Sequence, residues 1–250
     1  MDQNVTIPTE TIDLPSKGLV YPPENPLSSG KVEMKYMTAK EEDILTNQSY
    51  IQKGTVIDKL LQALIVSKIN YNDLVVGDKN AIMVAARILG YGKDYEFEYD
   101  GEQHVVDLSK IDNKPFDESK LVSKGVNEFY FTLPSSNINI TYKLLTHEDE
   151  KKIQNELDGL KKLGTNNSPE LSTRLKYIIT SVNGDRDNKT VRQFVDVALL
   201  ARDSRELRKH ISNTQPDVDL TFFPEGSSTR IDIPVGLKFF WPDFWFSTWI

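Results

Sequence analysis

The sequence predicts an α+β fold: N-terminal helices, a small antiparallel sheet of hairpins, a helical unit, and a C-terminal β-hairpin with an aromatic tail. Three observations predict it. Two capping-box spacings, Thr38 to Glu41 and Thr146 to Asp149, each open a run with apolar residues at helical intervals. Two pairs of alternating runs are joined by turn chemistry, Asp100-Gly101 in one and Pro134-Ser135-Ser136-Asn137 in the other. The periodicity also switches along the chain, which divides it into residues 1–90 (arm and helices), 91–145 (hairpins), 146–212 (helical unit) and 213–250 (C-terminal hairpin and tail).

Leu14-Pro15-Ser16-Lys17-Gly18 reads as a tight turn, because Pro15 presets φ at the second position and Gly18 permits a close return of the chain. Tyr21-Pro22-Pro23 stays extended, since a residue before proline is pushed out of the α region. After Ser28-Ser29-Gly30, the apolar residues Val32, Met34 and Tyr36 alternate with charged ones as in a half-buried strand, which ends at Thr38. From there Glu41 reaches back to the cap, starting a helix through Ile44 and Leu45. Thr55 is placed to cap a helix with Val56, Ile57, Leu60, Leu61, Leu64 and Ile65 on one face. Asp78 is placed to cap the next, whose small residues Ala85 and Ala86 would let another helix approach, and Gly90 is its expected stop.

Tyr95, Phe97 and Tyr99 then alternate with Glu96 and Glu98, and Val105, Val106 and Leu108 return after Asp100-Gly101. A polar link through Asn113, Lys114 and Pro115 leads to the second pair of runs, Phe129 to Leu133 and Ile138 to Leu144. In the helical unit, Ile153, Leu157 and Leu160 form one stripe, and Leu171, Leu175, Ile178, Ile179 and Val182 a second, opened by Pro169 and closed by Asn183-Gly184. A third runs from Val191 through Leu199 towards Ile211. Val218, Leu220 and Phe222 pair with Ile231 and Ile233 around Pro224-Glu225-Gly226-Ser227.

Residues 14–22, LPSKGLVYP, and 28–45, SSGKVEMKYMTAKEEDIL, resemble the N-terminal signature of the baseplate hub subunit and hub-assembly proteins of T-even-like contractile-tailed phages. The resemblance resumes in residues 233–242, IPVGLKFFWP, and covers most of the chain, with a weaker match in the middle. It implies a protein of tail assembly or the baseplate, not an enzyme, with other hub or tail proteins as partners and self-association left open. It also implies that the turn Phe223-Pro224-Glu225-Gly226-Ser227 stands where relatives carry a Cys-Pro-x-Cys-Gly zinc knuckle, so neither a metal nor any other cofactor is expected.

Composition and motifs point the same way. There is no cysteine for disulfides, thiolate sites or cysteine catalysis. A formal charge of −7 disfavours general binding to phosphate backbones. Neither a secretory signal nor a run of about 18 apolar residues for a membrane span is read, so synthesis in the cytoplasm of the expressing cell is expected; the resemblance implies the host cytoplasm during assembly and a place in the virion tail baseplate. The histidines 104, 147 and 210 fall in different elements; Ser16-Lys17-Gly18 lacks the order of a phosphate loop; Asn183-Gly184-Asp185-Arg186-Asp187 lacks the glycine and glutamate of a calcium loop. The alternative kept open is a nucleic-acid-binding module or an enzyme whose site is assembled from residues far apart in sequence.

The C-terminal segment holds all three tryptophans. Phe239, Phe240 and Trp241 are assigned to the chain's own core because they follow the hairpin directly. Phe244, Trp245, Phe246 and Trp249, with Leu14, Pro15 and Tyr21 of the N-terminal loop, are the candidate partner-binding residues, since aromatic side chains are the anchors that interfaces favour. The sequence expectation is therefore a baseplate hub subunit or hub-assembly factor acting by protein–protein contact.

Overall fold

A computed structural model describes residues 7–163, 169–224 and 229–240. It is an α+β structure in which helices are interspersed along the chain with several small antiparallel sheets. Strand β1 (Thr9–Asp13) pairs antiparallel with β2 (Lys31–Lys35), from Thr9 opposite Lys35 to Asp13 opposite Lys31. The sequence predicts β2 but not β1, whose exposed, mostly polar residues carry no apolar alternation. Helices α1 (Ala39–Leu45), α2 (Gln48–Gln52) and α3 (Val56–Leu64) follow.

The Thr38 box forms as expected: the Glu41 carboxylate accepts from the Thr38 amide at 3.0 Å and from its hydroxyl at 2.6 Å. Burial alone would raise the Glu41 carboxyl, but hydrogen bonds from Lys35 and Thr38 outweigh it and hold the group at about 2. Helix α3 buries Val56, Leu60, Leu61 and Leu64, and gives way at Ile65, which bridges instead to Met34 of β2.

Helix α4 (Val76–Tyr91) runs longer than the sequence predicts. Gly90 lies inside it and Gly92, at φ +83°, ends it; Asp78 sits within the first turn and not at the cap. Helix α3 packs against it, and at its first turn the backbone at Pro216 comes closer still. A Cβ on Gly77 would lie 1.8 Å from the carbonyl oxygen of Pro216.

The hairpin of β3 (Asp94–Tyr99) and β4 (Glu102–Asp107) turns at Asp100 and Gly101, both at positive φ as a type I′ turn requires. Strands β5 (Phe129–Thr132) and β6 (Asn139–Tyr142) form the second hairpin. Helix α5 (His147–Lys162) carries the second capping box, with Asp149 accepting from the Thr146 amide at 3.1 Å.

The helical unit differs from expectation in two places. After α6 (Glu170–Ile178) the chain extends into β7 (Ile179–Val182), which joins β6 as the third strand of a sheet ordered β5-β6-β7. Ile178 to Val182 is rich in β-branched residues that a strand accommodates better than a helix, and β6 offers a free edge. This pairing ties residues 91–145 to 146–212. Helix α7 (Asn188–Val197) then ends before Leu200, and α8 (Ala201–Thr214) is a separate helix. Asp203 in its first turn accepts from the Ser135 and Ser136 amides at 2.7 and 3.0 Å, closing the β5–β6 turn.

Strands β8 (Thr221–Phe222) and β9 (Ile231–Asp232) make the short final hairpin, and a 3-10 turn at Leu237–Phe240 follows. Phe239 and Phe240 are fully buried, as expected, with Phe239 edge-on to Tyr95 at 4.8 Å. Trp241 lies outside the described residues. One contiguous apolar core extends from Leu14 to Phe240.

Candidate functional site around the N-terminal loop

The N-terminal loop is fastened to α4 by a buried carboxylate. Asp78 accepts from the Ser16 amide at 2.9 Å, from the Ser16 hydroxyl at 2.6 Å and from the Tyr21 hydroxyl at 2.6 Å. The Tyr21 oxygen in turn accepts the Val75 amide at 3.1 Å, satisfying a donor just before the helix begins. Position favours the acid, since a first-turn carboxylate faces the positive end of the helix dipole. Burial nonetheless pushes the Asp78 carboxyl up, against the three hydrogen bonds. Burial, with Asp78 beside it, also drives Tyr21 well above the ordinary phenol range, so it serves as a permanent donor.

The same anchoring fixes Lys17. The turn bonds Lys17 N to the Leu14 carbonyl at 2.9 Å, and Lys17 takes φ +52°, a left-handed conformation that side-chain-bearing residues rarely hold. Gly18 follows at φ +77° with the backbone of Ser28 and Gly30 pressed against it. The side chain of Lys17 thus leaves an exposed position on a fixed backbone.

Beside this loop lies a groove of about 490 Å³. Leu14, Pro15, Pro115 and Phe116 give it apolar walls; Lys17, Lys31, Asn113 and Lys114 stand around it with Asp13. The link carrying Asn113 and Lys114 is pinned by a hydrogen bond that the Lys114 backbone N–H donates to the Asp217 carbonyl oxygen at 2.7 Å.

A second polar cluster joins three helices. Asp58 of α3 receives Lys79 Nζ at 2.5 Å and the Tyr71 hydroxyl at 2.9 Å, while His147 Nε2 stands 3.8 Å from its other oxygen without a hydrogen-bond partner. Burial lowers the His147 pKa and keeps the ring neutral, edge-on to Tyr71 at 4.7 Å. At 5% exposure its imidazole is closed to a reactant, so the cluster braces helices and does not present a base. Among the described residues no group of three or more His, Cys, Asp or Glu is placed to hold a metal, and no helix is long and apolar enough to cross a membrane.

The expected partner-binding residues divide accordingly. Leu14, Pro15 and Tyr21 are largely buried by their own chain, and the hydroxyl of Tyr21 is committed to Asp78. Leu14 and Pro15 still contribute to the groove walls. Phe244, Trp245, Phe246 and Trp249 lie outside the described residues. Sequence reasoning missed Lys17, Lys31 and Lys114 as a set. The only signal for Asp78 as an anchor was an acid at a helix start, which fits a cap equally well. Comparison with family models, with characterised proteins and with solved structures returned no match to this chain.

Proposed function

We propose that this chain is a tail baseplate hub subunit or hub-assembly factor of a contractile-tailed phage, acting by protein–protein contact and not by catalysis. The observation that carries the reading is the composition of residues 241–250 directly after a buried anchor. Phe239 and Phe240 are fixed in the core, and the next ten residues contain Trp241, Phe244, Trp245, Phe246 and Trp249. Aromatic rings at that density are hot-spot material, each worth on the order of a few kcal/mol when buried. The resemblance of residues 14–45 and 233–242 to hub proteins supplies the setting. The placement of two titratable side chains supports a non-catalytic role, since the His147 ring is enclosed and Asp78 is bonded into the junction of the N-terminal loop with α4.

The test is a pull-down from phage-infected cells with the intact chain beside a chain truncated after Pro242. Capture of hub or tail proteins by the first, lost in the second, is the expected result; capture of none by two folded proteins overturns the reading. Mass spectrometry of purified particles then separates the two versions, because a transient assembly factor is absent at stoichiometric level.

A further inference from the structure

We propose that the groove between the N-terminal loop and the 113–116 link is a docking site for an extended acidic peptide segment of a partner protein, with apolar residues interleaved among its carboxylates. The proposal rests on the assembly reading only in taking the occupant to be protein.

Charge complementarity carries it. The chain as a whole is acidic, at −7, yet Lys17, Lys31 and Lys114 gather around this one groove from three separate segments. Their ammonium groups are only loosely engaged. Lys17 has no ion-pair partner among the described residues. Lys31 meets Asp13 at 3.3 Å, but both side chains are largely exposed, and such a pair exchanges readily for another carboxylate. Lys114 lies 4.0 Å from Asp217, whose carboxylate is already engaged by Asn80 at 3.0 Å and the Val218 amide at 2.8 Å.

The walls decide the class of anion. A small oxyanion such as phosphate is held by converging N–H donors, and here the main-chain N–H groups of Leu14, Lys17, Gly30 and Lys114 are already bonded within the chain. Pro115, the exposed apolar residue of the lining, gives an aliphatic side chain a contact between the lysines, while Asn113 offers an amide to a peptide backbone. Single-stranded nucleic acid would want exposed aromatic faces for stacking, and the single aromatic residue of this lining, Phe116, is buried.

Rigidity makes the site specific. Ser16 on one side of Lys17 is bonded to buried Asp78, and Gly18 on the other is wedged against Ser28 and Gly30. The uncommon left-handed backbone of Lys17 is thus imposed by its neighbours, which fixes the point from which its side chain leaves the loop.

The experiment pans a random dodecapeptide display library against the full chain, against the Lys17→Gln/Lys114→Gln and Lys17→Glu/Lys114→Glu variants, and against Lys189→Glu on α7 as a remote control. Circular dichroism confirms the fold of each. The expected result is a selected pool enriched in Asp and Glu with interspersed Leu, Ile or Val. That enrichment should fall at least ten-fold in both groove variants and persist in Lys189→Glu. A pool without acidic bias, or a bias that the groove variants leave intact, overturns the proposal. A twelve-nucleotide oligothymidylate is run beside it; if it displaces the selected peptides and is lost with the same lysines, the groove is a nucleic-acid site and the proposal also falls. Retained capture of tail proteins with no acidic selection would sink the groove alone, whereas acidic selection without tail-protein capture would sink the hub reading alone.

Discussion

The hydroxyl of Ser16 donates to the carboxylate of Asp78 at 2.6 Å across 62 positions of sequence, and this bond seats the N-terminal loop on the first turn of α4. The loop sends Leu14, Val20, Tyr21 and Leu27 into the core. Its polar anchor is one acid that collects three donors, from Ser16 N, Ser16 Oγ and Tyr21 OH.

Replacing Asp78 by alanine should therefore cost about 3 kcal/mol of stability, because it strands buried donors that water cannot reach. Urea unfolding measures it. Asp78→Asn keeps an acceptor and should cost much less. Its pH signature is distinctive: burial raises the folded-state pKa of Asp78, so the wild-type advantage over the asparagine variant is full below the ordinary aspartate range and shrinks as pH rises through the folded value.

Glu128 should behave with the opposite sign. Arg186 holds it by two bonds at 2.7 and 2.8 Å and, with Thr180, keeps its pKa at about 2. A depressed carboxylate contributes stability above its unfolded pKa, and that contribution is lost as pH falls from about 4.5 to about 2. Chemical denaturation at pH 7, 4 and 3 should show this acid loss in the wild type and a smaller one in Glu128→Gln. Carbon-detected NMR of Arg186→Ala should find the Glu128 carboxyl moved up.

Gly18→Ala should be among the most damaging small substitutions in the loop. At φ +77° any Cβ is strained, and here it would fall 2.3 Å from the Ser28 carbonyl oxygen and 2.6 Å from Gly30 N. A loss of about 3 kcal/mol is expected by thermal unfolding, combining backbone strain with a clash that only main chain can relieve. Gly77→Ala should be similarly costly, through its contact with Pro216, although it lies in a helix where alanine is normally favoured.

His147 and His210 should both titrate below the ordinary imidazole range. Burial is the main cause in each; His210 is also stacked on Phe131 at 4.5 Å. A histidine with a lowered folded-state pKa supports the fold above its unfolded value, near 6.5, and withdraws that support as pH falls through the folded one. Proton NMR of the ring resonances checks the order, and His147→Phe, which keeps a ring edge for Tyr71, should flatten stability between pH 7 and 5.

The sequence by itself determined the parts whose partners are near in sequence. The two capping boxes close over three residues, the Asp100-Gly101 turn fixes its own hairpin, and the apolar stripe of α3 is written at helical spacing. Even the burial of Phe239 and Phe240 follows from the hairpin just before them. Tertiary structure decided what depends on distant groups. Ile179 to Val182 carries a helical stripe as well as β-branched residues, and the free edge of β6 settles it as strand. Asp78 has the chemistry of a cap and becomes an anchor because Ser16 and Tyr21 arrive above it. Lys17, Lys31 and Lys114 are unremarked surface lysines in the sequence, and only the return of the 113–116 link to the N-terminal loop sets them around one groove. The physical reason is common to all three: local conformation is encoded by neighbours within a turn or two, whereas an anchor or a charged groove exists only once the chain has closed on itself.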